Sequence, residues 1–93
     1  MTQASSSIQI DNERVSVTEW RFAPGAETGW HRHQHDYVVV PLTTGKLLLK
    51  AKEGDSVSEL TAGKSYTRKA GVEHNVINGS EGEFVFIEIE LKA

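Results

Sequence analysis

The residues of this sequence whose type and spacing suggest chemistry are histidines. Three alternate at His31, His33 and His35 in "GWHRHQHDYVVVPLTTG", and the fourth is His74 in "AGVEHNVIN". On a β-strand, side chains two apart project from one face, with their Cα atoms roughly 6.6 Å apart at about 3.3 Å per residue. Two neutral imidazoles so placed can converge on one cation at about 2.0–2.1 Å. A third donor has to come from another segment, and His74 opens a strand-like run after a glycine-containing turn. The plain alternative is a set of histidines bonded to backbone groups with no ion between them. Spacing alone leaves both open, and a third histidine in a similar setting favours the ion.

Such a site needs rigid strands, and the hydrophobic period is two almost throughout. Val15 and Val17 in "RVSVTEWRF" share a face, while Trp20 and Phe22 imply a change of parity within the strand. "APGAETG" breaks the pattern, "WHRH" resumes it, and "DYVVVPL" is rich in β-branched residues. "TTGK" reads as a hairpin turn into "LLLK", and further turns follow at "KEGD", "TAGK" and "NGSEG". Pro41 has no N–H to give a ladder, so it is expected at an edge or a bulge. In the last run Phe84, Phe86, Glu88 and Glu90 alternate with Val85, Ile87, Ile89 and Leu91. Both faces are apolar near its start, so both should be covered: one by the core, the other by a second sheet or a second subunit. A homodimer is therefore an expectation. No segment carries a helical stripe, and the many short strands imply an all-β sandwich or barrel.

Composition narrows the classes. A chain of 93 residues is one domain, and at this size only about 60–65% of the unfolded surface is buried, so the core needs reinforcement. There is no cysteine to supply it through disulfides. A closed sheet, a bound metal or a partner subunit remain. The net charge is −3 with no basic run, which argues against a nucleic-acid surface. No apolar run is long enough to span a bilayer, and "MTQASSSIQI" lacks the basic and apolar regions of a signal peptide, so the cytoplasm is the expected compartment. Residues 1–7, polar and serine-rich, are expected to fray, with the domain occupying residues 8–93.

Two blocks carry a family resemblance. "GAETGWHRHQHDYVVVPLTTG" resembles the first cupin motif, G-x5-H-x-H-x3–4-E-x6-G, through Gly25, His31, His33 and Gly45. "GKSYTRKAGVEHNVIN" resembles the second, G-x5-P-x-G-x2-H-x3-N, through Gly63, Gly71, His74 and Asn78. The sequence thus looks like a small single-domain cupin, and it is similar to cupins associated with β-alanine degradation. The resemblance implies a jelly-roll β-barrel of two antiparallel sheets, with His31, His33 and His74 around one divalent transition-metal ion: Fe, Ni, Cu, Zn or Mn. Imidazole ligands suit several of these metals, and affinity order alone does not choose among them.

The departures from the motif matter as much. Its glutamate, normally a fourth ligand, falls on Val38 or, with the shorter spacing, on Tyr37. Valine cannot bind a metal, and a phenol with a pKa of about 10 ionises reluctantly. The motif's proline is Lys69. His35 lies in the turn between the motif strands, or points inward as a fourth ligand if the strand continues without a bulge. Tyr66 and Arg68 share one face of the strand leading to His74. If that face turns inward, Arg68 could pair with a substrate carboxylate; otherwise it is a solvated rim. Trp30 and Tyr37 flank the histidines and could wall a pocket or simply fill the core.

Three neutral imidazoles leave a divalent ion's charge uncompensated, which favours a small anionic ligand. The leading expectation is a metal-dependent enzyme acting on a small anionic metabolite, as an oxygenase, lyase or isomerase. Three-histidine cupins such as the thiol dioxygenases offer an analogy. The alternative is a non-catalytic cupin that binds or senses a metabolite or metal, supported by the lack of an evident general base. A third treats the barrel as a structural unit.

Overall fold

The computed structural model of the chain describes residues 2–92. Among them every regular element is a strand: β1 (Ser5–Asp11), β2 (Val15–Phe22), β3 (His31–Arg32), β4 (Asp36–Pro41), β5 (Gly45–Lys50), β6 (Ser56–Leu60), β7 (Tyr66–Arg68), β8 (Glu73–Asn78) and β9 (Phe84–Leu91). Two antiparallel sheets form, ordered β1-β2-β9-β4-β7 and β3-β8-β5-β6. They enclose one core in which Phe22, Phe84, Leu47 and Pro41 are the largest fully buried side chains. The alternating pattern implies an all-β sandwich or barrel, and this is the jelly roll of two antiparallel sheets that the family resemblance implies.

Several expectations about individual strands need correction. β2 pairs with β9 residue for residue from Val15↔Leu91 to Phe22↔Phe84, with no change of parity. Val15 and Val17 lie on the outer face and Trp20 and Phe22 on the inner one, so apolar residues on both faces, rather than a bulge, explain the pattern. The irregularity lies instead in β1, between Ile8 and Ile10. "TTGK" is not a hairpin turn, since β4 and β5 belong to different sheets. It is a crossing between layers, held to β9 by Leu42 N donating to Val85 O at 2.9 Å and Val85 N donating to Thr43 Oγ1 at 3.2 Å. Gly45 begins β5 where a Cβ would stand 2.3 Å from Ser80 Oγ and 2.9 Å from the Phe84 ring, so any larger residue would force a shift.

The segment expected to fray also differs. Met1 lies outside the described residues, but Ser5–Ser7 belong to β1 and Ala4 is buried in the core. Ala4 N donates to Glu27 O at 2.8 Å and Glu27 N to Thr2 O at 3.0 Å. The serine side chains stay exposed while the backbone pairs, so their polarity does not exclude a strand. Pro41 closes β4 beyond its last pair with β7, Val39↔Tyr66, in keeping with a residue that cannot donate.

β9 lies between β2 and β4, and its inner face runs Phe84, Phe86, Glu88. Its outer face, Val85, Ile87 and Ile89, is not covered by the second sheet. Val17, Val38 and Val40 flank Ile87 and Ile89 in register, leaving a half-buried aliphatic surface on the outside of the larger sheet.

Candidate metal centre

Strand pairing builds the histidine group. β3 aligns with β8 so that His31 pairs directly with His74. His33 follows β3, and its backbone is tied on both sides, with His33 N donating to Val72 O and Gly71 N to His33 O, each at 2.8 Å. Gly71 takes a φ of 98°, a conformation that side-chain-bearing residues rarely adopt, which accounts for a glycine in this turn. Three imidazoles from two segments thereby meet inside the barrel.

Their rings stand edge-on to one another, with centroids 4.7, 4.7 and 5.3 Å apart and interplanar angles of 70–87°. Nε2 of His33 lies 3.0 Å from Nε2 of His31 and 3.3 Å from Nε2 of His74. Two nitrogens each about 2.0–2.1 Å from one ion stand about 2.9 Å apart at a right angle and about 3.3 Å apart at a tetrahedral one. The observed separations therefore fit a shared cation. In His31 and His33 the other ring nitrogen faces an acceptor. His31 Nδ1 is 2.9 Å from Gly29 O, so it carries the proton and leaves the Nε2 lone pair free. His33 Nδ1 is 3.4 Å from Glu88 Oε1. Lone pairs aimed at one another across 3 Å repel unless a proton or a metal ion sits between them.

Burial favours the neutral form of two of these rings, His33 and His74. His33 is pushed down to about 4 by burial, then by His31 and His74; His74 is pushed down to about 4 by burial, then by His31 and Arg68. Neutral imidazoles need shed no proton before binding a metal. Glu88, buried on the inner face of β9 in the other sheet, is pushed up to about 7 by burial, opposed by the hydrogen bond from Trp20 and reinforced by Glu90. Near neutral pH its contact with His33 is therefore not a fixed ion pair.

The remaining residues singled out in the sequence fall in different places. Tyr37 is buried and stacks its ring on His33, with centroids 3.9 Å apart at 21°; burial, then Glu88, raises its phenol above the ordinary value. What it offers the imidazole is a ring face rather than a phenolate oxygen. Val38, the other position for the motif's acid, pairs with Ile89 on the outer face. His35 lies on the bend after His33, half-buried and apart from the histidine group, because β3 ends instead of continuing. Tyr66 and Arg68 do turn toward the site, with the guanidinium 4.6 Å over the Tyr66 ring. Trp30 does not: it is 51% exposed and donates its indole N–H to Glu73 Oε1 at 2.8 Å. It adjoins His31 in the sequence, and adjacent side chains of an extended chain point to opposite sides.

Sequence reasoning missed three residues. Glu88 follows Phe84 and Phe86 on one face, so alternation alone already placed it inward. Trp20, whose Nε1 donates to Glu88 Oε2 at 3.0 Å, entered the sequence reading only as a sign of changed parity. Thr28 contacts His31 Nδ1 through its hydroxyl at 3.2 Å and accepts from Val76 N, fastening the loop that orients His31 to the strand carrying His74. No sequence signal marks it. Asn78 is a clamp, its amide donating to Phe22 O and Gly82 O and accepting from Ser80 N.

A cavity of about 50 Å³ is lined by the three histidines, Thr28, Tyr37, Tyr66 and Arg68 together with apolar Val39, Leu47 and Phe86. A wider cleft of about 620 Å³ shares Leu49, Arg68 and His74 with it. The first cavity holds only a few heavy atoms, since one water needs roughly 10–15 Å³ on this scale.

Comparison with known proteins settles the family. The Cupin domain family matches residues 18–90. The chain belongs to the cupin family. It is 67% identical over 90 residues to the beta-alanine degradation protein BauB of Pseudomonas aeruginosa, covering 97% of this chain and 95% of that one. A cupin domain from Bordetella pertussis, solved as a crystal structure, superposes with a TM-score of 0.97 at 68% identity, covering 99% of this cupin and 96% of the other. A double-stranded β-helix protein from Klebsiella pneumoniae shares the fold with a TM-score of 0.80 at 23% identity, over 97% and 77% of the two chains. Among the described residues, no helix is long and apolar enough to cross a membrane.

Proposed function

We propose that this cupin binds one divalent transition-metal ion through Nε2 of His31, His33 and His74 and uses it to hold and transform a small carboxylate. The observation that carries this reading is the convergence of three Nε2 atoms at 3.0 and 3.3 Å, with no carboxylate of the described residues in that group. Positions left open by the protein mark metal sites that take substrate. A bound ion would supply Lewis-acid chemistry or, for iron, dioxygen chemistry. The chain's own part is to orient and to select. Gly29 O and Thr28 fix His31, Tyr37 fixes the plane of His33, and Arg68 stands at the junction of cavity and cleft, where it can pair with an incoming carboxylate. The small inner cavity admits the head of such an acid, and the rest of it must lie toward the cleft.

The likeness to the P. aeruginosa protein supports a substrate among β-alanine and the small acids derived from it. Metal-reconstituted protein is expected to turn over one of these acids, and His74→Ala to abolish that turnover. Tight binding without turnover under every metal tested would favour the binding or sensing alternative. We propose in addition that a second copy covers the aliphatic outer face around Val38 and Ile89. Light scattering should then find a dimer, and Ile89→Glu should convert it to a monomer; a native monomer would contradict this.

A further inference from the structure

Binding by three histidines leaves one buried group without a task. Glu88 lies inside the barrel, where the inner face of β9 would otherwise continue from Phe84 and Phe86 with an apolar residue. A buried carboxylate is costly unless its oxygens are satisfied. The two oxygens of Glu88 are divided: Oε2 accepts from Trp20 Nε1 at 3.0 Å, and Oε1 lies 3.4 Å from His33 Nδ1. Its backbone is fixed from both sides, in register with Thr18 of β2 and Val39 of β4.

We propose that Glu88 is a positioning residue for the metal site, with Trp20 as its strut. Resting on the metal-binding reading above, the inference gives Glu88 the place of a carboxylate one step removed from the ion. It takes up the Nδ1–H of His33 and so holds the tautomer whose Nε2 lone pair faces the other two histidines. Tyr37 fixes the plane of the ring by stacking, and Glu88 fixes its rotation within that plane. A contact of 3.4 Å is long for a hydrogen bond. Coordination makes the imidazole N–H a stronger donor, which favours closing that gap. This chain thus lacks the motif's acid on β4 and carries one on the adjacent strand, on the opposite edge of the same imidazole.

The test separates positioning from mere support of the fold. Affinity for Zn(II) and Co(II) is measured by competition with a chromogenic chelator, beside the thermal unfolding of the metal-free protein. Glu88→Gln should weaken both ions about 10–100-fold and alter the Co(II) absorption bands. The unfolding temperature should hold or rise, because a neutral amide is cheaper to bury and still accepts from Trp20. Trp20→Phe, which keeps a ring and removes the donor, should weaken the ions several-fold, and it decides the matter if Glu88→Gln does not fold. Folded variants that both bind within twofold of the native protein would overturn the inference alone. Native protein that takes up neither ion would overturn it together with the metal-binding reading.

Discussion

The two ends of the barrel are built from the same strands and do different work. Along the inner faces, β9 runs from Phe84 and Phe86 to Glu88, β2 from Phe22 to Trp20, β4 from Pro41 through Val39 to Tyr37, and β8 from Asn78 through Val76 to His74. One end is closed by Phe22, Phe84, Leu47 and Pro41, all fully buried. The other gathers three histidines, a buried acid and the Tyr66–Arg68 pair around a small cavity. Side-chain parity is the same throughout, and only the chemistry changes with distance along the strand. A small chain can in this way reinforce a marginal core at one end and keep costly polar groups at the other.

Truncation at the closed end should have the largest effect on stability. Phe84→Ala is expected to cost about 3–5 kcal/mol in denaturant unfolding, a large share of the roughly 5–15 kcal/mol that domains possess. Whatever remains folded should bind metal with native affinity. Gly45→Ala, which drives a methyl against Ser80 and Phe84, should cost about 1–3 kcal/mol by overpacking and likewise spare the metal. At the open end the pattern should invert. Arg68→Ala should leave metal affinity and unfolding near native while weakening a small carboxylate about fivefold, the share of a partly exposed charged hydrogen bond.

The smallest effect is a pH dependence confined to the open end. His33 and His74 are pushed down to about 4, so between pH 6.5 and 4 the unfolded chain binds more protons and metal-free stability falls on acidification. Glu88, pushed up to about 7, acts in the opposite sense: its contribution is complete below pH 4.5 and lost as pH rises through 7. Two imidazoles against one acid leave a net loss on acidification. Melting the metal-free protein at pH 7 and 4.5 should reveal that loss, and Glu88→Gln should steepen it. A melting temperature that rises toward pH 4.5 would contradict this balance.

Much of the molecule was legible in the sequence. Period-two alternation and turn residues yield an all-β barrel, and the spacing of His31 and His33 with a third histidine at 74 marks the site. What escaped depended on neighbours in space. Trp20 and Phe22 suggested a bulge because an isolated strand does not reveal that both its faces are apolar. Alternation turns Glu88 inward but does not name its partners, Trp20 from β2 and His33 from beyond β3, which only the folded chain brings together. Trp30 read as a pocket wall because it stands beside His31 in the sequence, although adjacent side chains of an extended chain face opposite ways. The crossing at Thr43–Gly45 read as a hairpin because turn residues specify a reversal, not the sheet to which the next strand goes.

The central claim is that three imidazoles grip one ion. It is tested most directly by elemental analysis and X-ray absorption on reconstituted native protein beside His33→Ala. The account predicts one ion per native chain with three imidazole nitrogens at about 2.0–2.1 Å, and almost no metal in the variant. A native protein that stays metal-free, or a variant that keeps its full complement, would contradict it.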